Sequence, residues 1–262
     1  MSIDFVSMIP SFISIIVGLI PVFLVIGFVI LCIYCFKNKV HIKFKSFLKK
    51  GFRPVRGDFG VFCYTGAQGK GKTYSLIEYL YLNCDKLVIY SNIHNLHNIS
   101  NVHYFTGFKQ LIEIKEALDS GVLVIPKKKK LVIVFDEIFT ELQKGDKLSK
   151  PVLDFLCQMR KRKIKFLTTA QYWGELPLSY RRFCRYQIDC NMIPLLWSGV
   201  LIKTFHDAEN MKWDQMEQDF VAPITETTIT KCSKVIANSY DTFMRISSVP
   251  VKSGGGDNSS TS

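Results

Sequence analysis

From Phe5 to Phe36 the chain holds no charged side chain, and from Lys37 to Gly57 it holds no acid. No second CxxC pair and no histidine cluster accompanies Cys32 and Cys35, and no segment repeats. Each absence narrows the possibilities. The uncharged run "FVSMIPSFISIIVGLIPVFLVIGFVILCIYCF" exceeds the roughly 20 apolar residues that cross a bilayer. Pro21 lies inside it and predicts a kink that a membrane helix tolerates. The missing basic residues ahead of the run, and its length, argue against a cleaved signal peptide. Without paired cysteines or histidines, the usual structural metal sites are excluded. The eight cysteines read as reduced thiols, with Cys32 and Cys35 as apolar filler at the inner end of the span.

Charge orients the span. Only Asp4 precedes it, whereas Lys37, Lys39, Lys43, Lys45, Lys49, Lys50, Arg53 and Arg56 follow it. The positive-inside rule then expects the C-terminal body on the cytoplasmic side of an inner membrane. All 34 basic residues and 21 of the 22 acids follow Phe36, so the body carries a net charge of +13. Such a charge suits a polyanionic partner, either nucleic acid or anionic lipid headgroups. The expected divisions are an anchor at 1–36, a basic linker at 37–57, one folded domain at 58–250 and a disordered tail at 251–262. The linker reads either as a segment on the inner leaflet or as a solvated tether.

Within the body the pattern alternates in the α/β manner. "GVFCYT" (60–65) predicts a strand and "KTYSLIEYLYLN" (72–83) a helix. "KLVIYSN" (86–92) predicts a second strand, and "GFKQLIEIKEALDSG" (107–121) an amphipathic helix ending on glycine. "VLVIP" (122–126) reads as a strand or the approach to one. "KKKKLVIVFDE" (127–137) predicts a buried strand ending in two acids, entered through an exposed basic connection that could face DNA. A helix at 150–163, a strand at 164–171 and short strands between 186 and 206 follow. Beyond Ala208 the expectation is irregular chain.

"GAQGKGKT" (66–73) matches the phosphate-binding loop GxxxxGK[ST]. Gly66 and Gly71 let the backbone curl so that N–H groups along Ala67, Gln68, Gly69 and Lys70 point at phosphate oxygens. Lys72 would reach the β and γ phosphates, and the Thr73 hydroxyl would hold Mg²⁺. Tyr74 sits in the first turn of the helix, whose positive end favours an anion. Downstream, a buried strand delivers Asp136 toward the same Mg²⁺, and Glu137 beside it can polarise water, which points to hydrolysis. Gln171, ending the next strand, reads as a sensor of the γ phosphate or as a strand cap. Arg160 and Arg162 read as arginine fingers for a neighbouring subunit, as helix charges, or as phosphate contacts. Arg181, Arg182 and Arg185, near Tyr172, Trp173 and Tyr180, suit single-stranded nucleic acid or a packed loop with a basic rim. His94, His97 and His103 read as structural.

With these motifs in place the chain resembles the Zot-like (zonular occludens toxin-like) ATPases, which include inner-membrane assembly proteins of filamentous single-stranded-DNA phages and belong with the FtsK–HerA branch of P-loop motors. The resemblance covers about residues 58–206 and rests on "TGAQGKGKT", "YSNIHNL" (90–96), "LVIVFDE" and "RKRKIKFLTTAQ"; "SYDTF" (239–243) adds to it. It implies an α/β, RecA-like core with a mostly parallel sheet behind one transmembrane helix. It also implies ATP and Mg²⁺ as cofactors, a homo-oligomeric ring, and extrusion or packaging of phage DNA. Lys72, Thr73, Asp136, Glu137 and Gln171 match the family's ATPase positions, and Arg160 or Arg162 matches its arginine by region. One feature departs: here the span precedes the ATPase, whereas the filamentous-phage members place it after.

The leading expectation is therefore a membrane-anchored ATPase that moves phage or mobile-element DNA, with coat or capsid proteins as further partners. A second is packaging into a preformed capsid. A third is a nucleotide-dependent membrane scaffold that recruits coat proteins without moving DNA. A soluble metabolic kinase is disfavoured, since no substrate lid is visible.

Overall fold

The structure, a computed structural model, describes residues 5–42, 59–194 and 199–240. The expected tail and most of the basic linker lie outside them. Helix α1 (Phe5–Lys37) carries the uncharged run. Its stretch Gly18–Lys37 has a mean hydropathy of 2.9 and none of it is buried, so it is long and apolar enough to cross a membrane.

The body is built on nine strands in the order β1-β11-β8-β7-β2-β6-β5-β3-β4. They are β1 (Val40–Ile42), β2 (Gly60–Thr65), β3 (Leu87–Ser91), β4 (Val102–Tyr104), β5 (Lys130–Phe135), β6 (Lys165–Thr169), β7 (Cys184–Pro194), β8 (Gly199–Asp207) and β11 (Ile224–Lys231). A separate hairpin joins β9 (Lys212–Asp214) to β10 (Asp219–Val221). Only β8 runs against the other eight strands of the large sheet. The fold is α/β with a mostly parallel sheet.

Parallel strands buried on both faces read as continuous apolar runs, and β5 shows why. Leu131, Ile133 and Phe135 point into one core, Val132 and Val134 into the other. Strand β2 divides likewise, Val61 and Cys63 against Phe62 and Tyr64. Helices α3 (Phe108–Asp119) and α4 (Lys150–Gln158) cover the first face through Leu111, Ile114, Val152, Phe155 and Leu156. Helix α2 (Lys72–Asn83) covers the second through Leu76, Ile77 and Leu80. Each such side chain contributes about 1.5–3 kcal/mol by leaving water.

Several expectations need correction. Of the two readings of 122–126, the strand is not formed and the stretch is the approach to β5. The helix from Lys150 stops at Gln158, and Arg160–Lys163 turn back, with Lys163 at φ +56. The strands between 186 and 206 are longer than expected, an 11-residue and a 9-residue arm of one hairpin. Among the described residues beyond Ala208, up to Tyr240, the chain is not irregular. There "ITETTITK" forms β11, whose alternating β-branched residues suit a half-buried strand with Glu226, Thr228 and Thr230 inward. Two short helices, α5 (Leu178–Arg181) and α6 (Lys234–Ala237), complete the body. Val40–Ile42, from the segment expected to be a linker, pair with Thr227–Ile229 at the sheet edge.

Candidate nucleotide site

In a parallel sheet, ligands gather at the carboxyl ends of the strands. Here β2, β3, β5 and β6 end side by side, because β2 pairs with β6, β6 with β5 and β5 with β3. The loop Gly66–Gly71 leaves β2 and feeds α2. Gly66 adopts φ +138, and a Cβ there would meet the Cys190 carbonyl oxygen at 2.6 Å. Gly71 adopts φ +85, and its Cβ would meet the Met192 Cε at 2.8 Å. The backbone contact excludes a side chain at Gly66, and the positive φ strains one at Gly71. The Gly66 N–H donates to the Gln171 carbonyl (3.1 Å), and Lys70 N–H to the Ala67 carbonyl (3.2 Å), which closes the loop. Ala67, Gln68, Gly69 and Lys70 are exposed at its rim.

Lys72 is buried, and its ammonium donates to the Ala67 carbonyl at 3.2 Å. Burial pulls its pKa down, and the Asp136 carboxylate works against that fall. The Thr73 hydroxyl reaches both carboxylate oxygens of Asp136, at 3.2 and 3.1 Å. The Thr169 hydroxyl donates to the same carboxylate at 2.6 Å and accepts the Glu137 N–H at 2.7 Å. Asn92, at the end of β3, brackets the Asp136 backbone: its amide donates to the Asp136 carbonyl (2.9 Å) and accepts the Asp136 N–H (2.7 Å). Burial raises the Asp136 pKa; the Thr169 hydroxyl opposes that rise and the Glu137 charge adds to it. Glu137 itself is held at φ +56 and ψ +52, a left-handed conformation that costs a non-glycine residue about 1 kcal/mol.

Lys72, Thr73, Asp136 and Glu137 are thus brought together with the loop, and Gln171 joins them through its backbone carbonyl. Tyr74 is placed differently. Its ring is in the core and its hydroxyl accepts the Ser233 N–H at 2.7 Å, so it ties α2 to the chain leaving β11. Arg160 and Arg162 lie between α4 and β6, at the opposite end of the strands. Arg160 pairs with Glu209 at 2.9 Å, and Arg162 with Asp119 and Gln158. In the other basic cluster Arg181 is buried, forked onto Asp219 at 2.9 and 3.0 Å with Trp173 beside it, and Tyr180 donates or accepts at Thr168 within the core. Arg181, Trp173 and Tyr180 therefore form the packed loop; Arg182 and Tyr172 remain exposed.

Sequence reasoning missed Asn92 and Thr169. Both stand at the carboxyl end of an apolar strand that pairs directly with β5. That position is the signal, but it becomes visible only when strand order is known. It also missed Asp189, Thr65 and His206, a polar cluster beside the loop. Thr65 and Gln187 donate to Asp189, and the His206 Nε2 lies 3.1 Å from its carboxylate.

The donor set fits a magnesium-bound triphosphate. A hydroxyl and a buried carboxylate converge beside an ammonium and a glycine-rich loop, the chemistry a hard cation and its phosphates require.

No family model matches the sequence, and no curated protein does. Among solved structures the chain is similar to the N-terminal domain of zonular occludens toxin from Neisseria meningitidis, at 14% identity and TM-score 0.47, over 71% of this chain and 100% of that one. It is also similar to the genome packaging NTPase B204 of Sulfolobus turreted icosahedral virus 2, crystallised with ATP-gammaS (12% identity, TM-score 0.42, 63% and 98% coverage). A third similarity is to the flagellar accessory protein FlaH of Methanocaldococcus jannaschii (13% identity, TM-score 0.40, 63% and 88% coverage). The first of these is the likeness that the sequence motifs lead one to expect.

Proposed function

We propose that the chain is a membrane-anchored ATPase that uses ATP hydrolysis to move phage or mobile-element DNA, in virion assembly, extrusion or packaging. One observation carries the catalytic half of this reading: the Thr73 hydroxyl and the Asp136 carboxylate meet beside the buried Lys72 ammonium at the end of the phosphate loop.

The roles follow from placement. Lys72 neutralises charge on the terminal phosphates. Thr73 and Asp136 hold Mg²⁺, which when bound neutralises phosphate charge and orients the chain of phosphates. Asn92 and Thr169 fix Asp136, so that its carboxylate is oriented before nucleotide arrives. Glu137 accepts a proton from the attacking water. Gln171, beside Gly66, senses the γ phosphate. Arg160 and Arg162, paired with Glu209 and Asp119 at the opposite end of the strands, take no part in hydrolysis, and the chain works as a homo-oligomeric ring. The uncharged α1 supports the anchor, and the +13 body supports a polyanionic cargo, DNA in single-stranded form. Coat or capsid proteins are the remaining partners.

The deciding experiment is ATP hydrolysis by the full chain, with and without single-stranded and double-stranded DNA, beside Glu137→Gln. DNA-stimulated turnover that disappears in the variant supports a motor, and the better-stimulating form names the cargo. Nucleotide binding with no turnover in any condition supports the scaffold instead.

A further inference from the structure

We propose that the edge of the sheet opposite the phosphate loop is a membrane-docking surface, formed by the Gly121–Lys129 loop and the Arg160–Lys163 turn and seated on anionic lipid headgroups. The inference deepens the anchored-ATPase reading and rests on it.

Topology defines the edge. Strand β5 carries Asp136 just past its carboxyl end, and six residues at about 3.3 Å each put its amino end about 20 Å away. The loop from α3 enters there. Strand β6 enters two residues further along, since Lys165 pairs with Val132 and Gly60, and the Arg160–Lys163 turn precedes it.

The loop's side chains divide in two. Leu123 and Ile125 pack against the core. Val122 and Val124 point outward, 82% and 74% exposed. This conformation is held: the Leu123 N–H donates to the Ala117 carbonyl and the Lys129 N–H to the Pro126 carbonyl, both at 2.8 Å. Three lysines, Lys127, Lys128 and Lys129, follow the two valines. Two nearby acids are engaged by other cations, Asp119 by Arg162 and Lys115, and Glu209 by Arg160. Among the described residues no carboxylate pairs with Lys127, Lys128, Lys129, Lys161 or Lys163.

Exposed aliphatics beside unneutralised lysines are the chemistry of a bilayer interface: valines enter the boundary of headgroup and acyl chain while ammonium groups meet phosphates. Neither the loop nor the turn offers an aromatic ring, so the stacking platform of a single-strand binder is missing. Tethering adds to this. Lys37 ends α1 three positions before Val40 enters the sheet, a span of about 11 Å at most, which keeps the β1 side of the body close to the surface from which α1 emerges. Docked this way, the nucleotide loop faces away from the bilayer.

The test is hydrogen exchange on the full chain in phosphatidylcholine vesicles, with and without phosphatidylglycerol. Protection of residues 5–37 in both reports the anchor separately. Residues 120–130 are expected to exchange about tenfold more slowly with phosphatidylglycerol only, and this protection should disappear in high salt and in the triple variant Lys127→Glu, Lys128→Glu, Lys129→Glu. Val122→Ser with Val124→Ser should weaken it and keep its salt dependence. Equal exchange of 120–130 in the two vesicles, with the anchor protected, overturns the docking surface and leaves the anchor standing. Protection of 120–130 by added DNA in neutral vesicles, and none from phosphatidylglycerol, reassigns the edge to nucleic acid and also overturns it.

Discussion

The Thr73 hydroxyl lies within 3.2 Å of both carboxylate oxygens of Asp136, although 63 positions separate the two residues. One opens the helix after β2, the other follows the end of β5, and β6 lies between those strands. The contact links the phosphate loop to the acid.

That acid is expected to be costly to the empty protein. Burial raises the folded-state pKa of Asp136 above its usual value, so folding favours the protonated form. The contribution to stability is therefore best below the unfolded pKa and is lost as pH rises through the folded one. At neutral pH, Asp136→Asn should melt higher than the parent without nucleotide, while ATP turnover falls at least a hundredfold. Thermal melts beside turnover check both. A variant that melts lower at pH 7 and keeps its activity contradicts this account.

Asn92 acts through Asp136 and not on the nucleotide. Removing it leaves a buried carbonyl and N–H unpaired, at about 1–3 kcal/mol. Asn92→Ala should lower kcat at least tenfold with little change in KM, because the acid loses its orientation while the loop is unaltered. A loss confined to KM would assign Asn92 to nucleotide contact.

Lys203 and Glu78 form an ion pair at 2.6 Å that fastens β8 to α2, and the Lys203 side chain is fully buried. Lys203→Met strands the Glu78 charge and should destabilise by about 3–5 kcal/mol. Adding Glu78→Leu should recover most of it. Denaturant unfolding of the parent, the two single variants and the double variant measures the coupling, and an additive result rules it out.

The His206–Asp189 contact predicts a pH dependence. Burial pulls the His206 pKa down, but Asp189 and the Ala222 carbonyl raise it more, so the net shift is upward. A histidine raised on folding contributes stability that is complete below its unfolded pKa and lost as pH climbs through the folded value. Burial also raises Asp189, yet His206, Thr65 and Gln187 hold its pKa below the usual carboxylate range. Its contribution is therefore kept above that range and lost only in acid. Stability should fall across roughly pH 6 to 8, and His206→Gln should flatten that slope. An unchanged slope in melts across this interval would assign it elsewhere.

The amino-acid sequence determined the parts whose geometry is local. Consecutive residues set the curl of Gly66–Gly71 and the apolar run of β5 that ends at Asp136, and helix α2 was legible from Lys72 to Asn83 because its period and its start lie in one stretch. The uncharged α1 is legible for the same reason. Strand β11 was hidden because its inward residues are threonine and glutamate, so burial there comes from neighbours and not from hydrophobicity. Arg181, Trp173 and Tyr180 read from the sequence as either a binding surface or a packed loop, and the contacts to Asp219 and Thr168 decide for the loop. Only the tertiary structure decided that Asn92 and Thr169 flank Asp136, that Tyr74 faces Ser233, and that Arg160, Arg162 and the lysines of 127–129 share the far edge of the sheet. Strand order is the physical reason. It is settled by which apolar faces can be buried together, and it brings together side chains that no spacing along the chain relates.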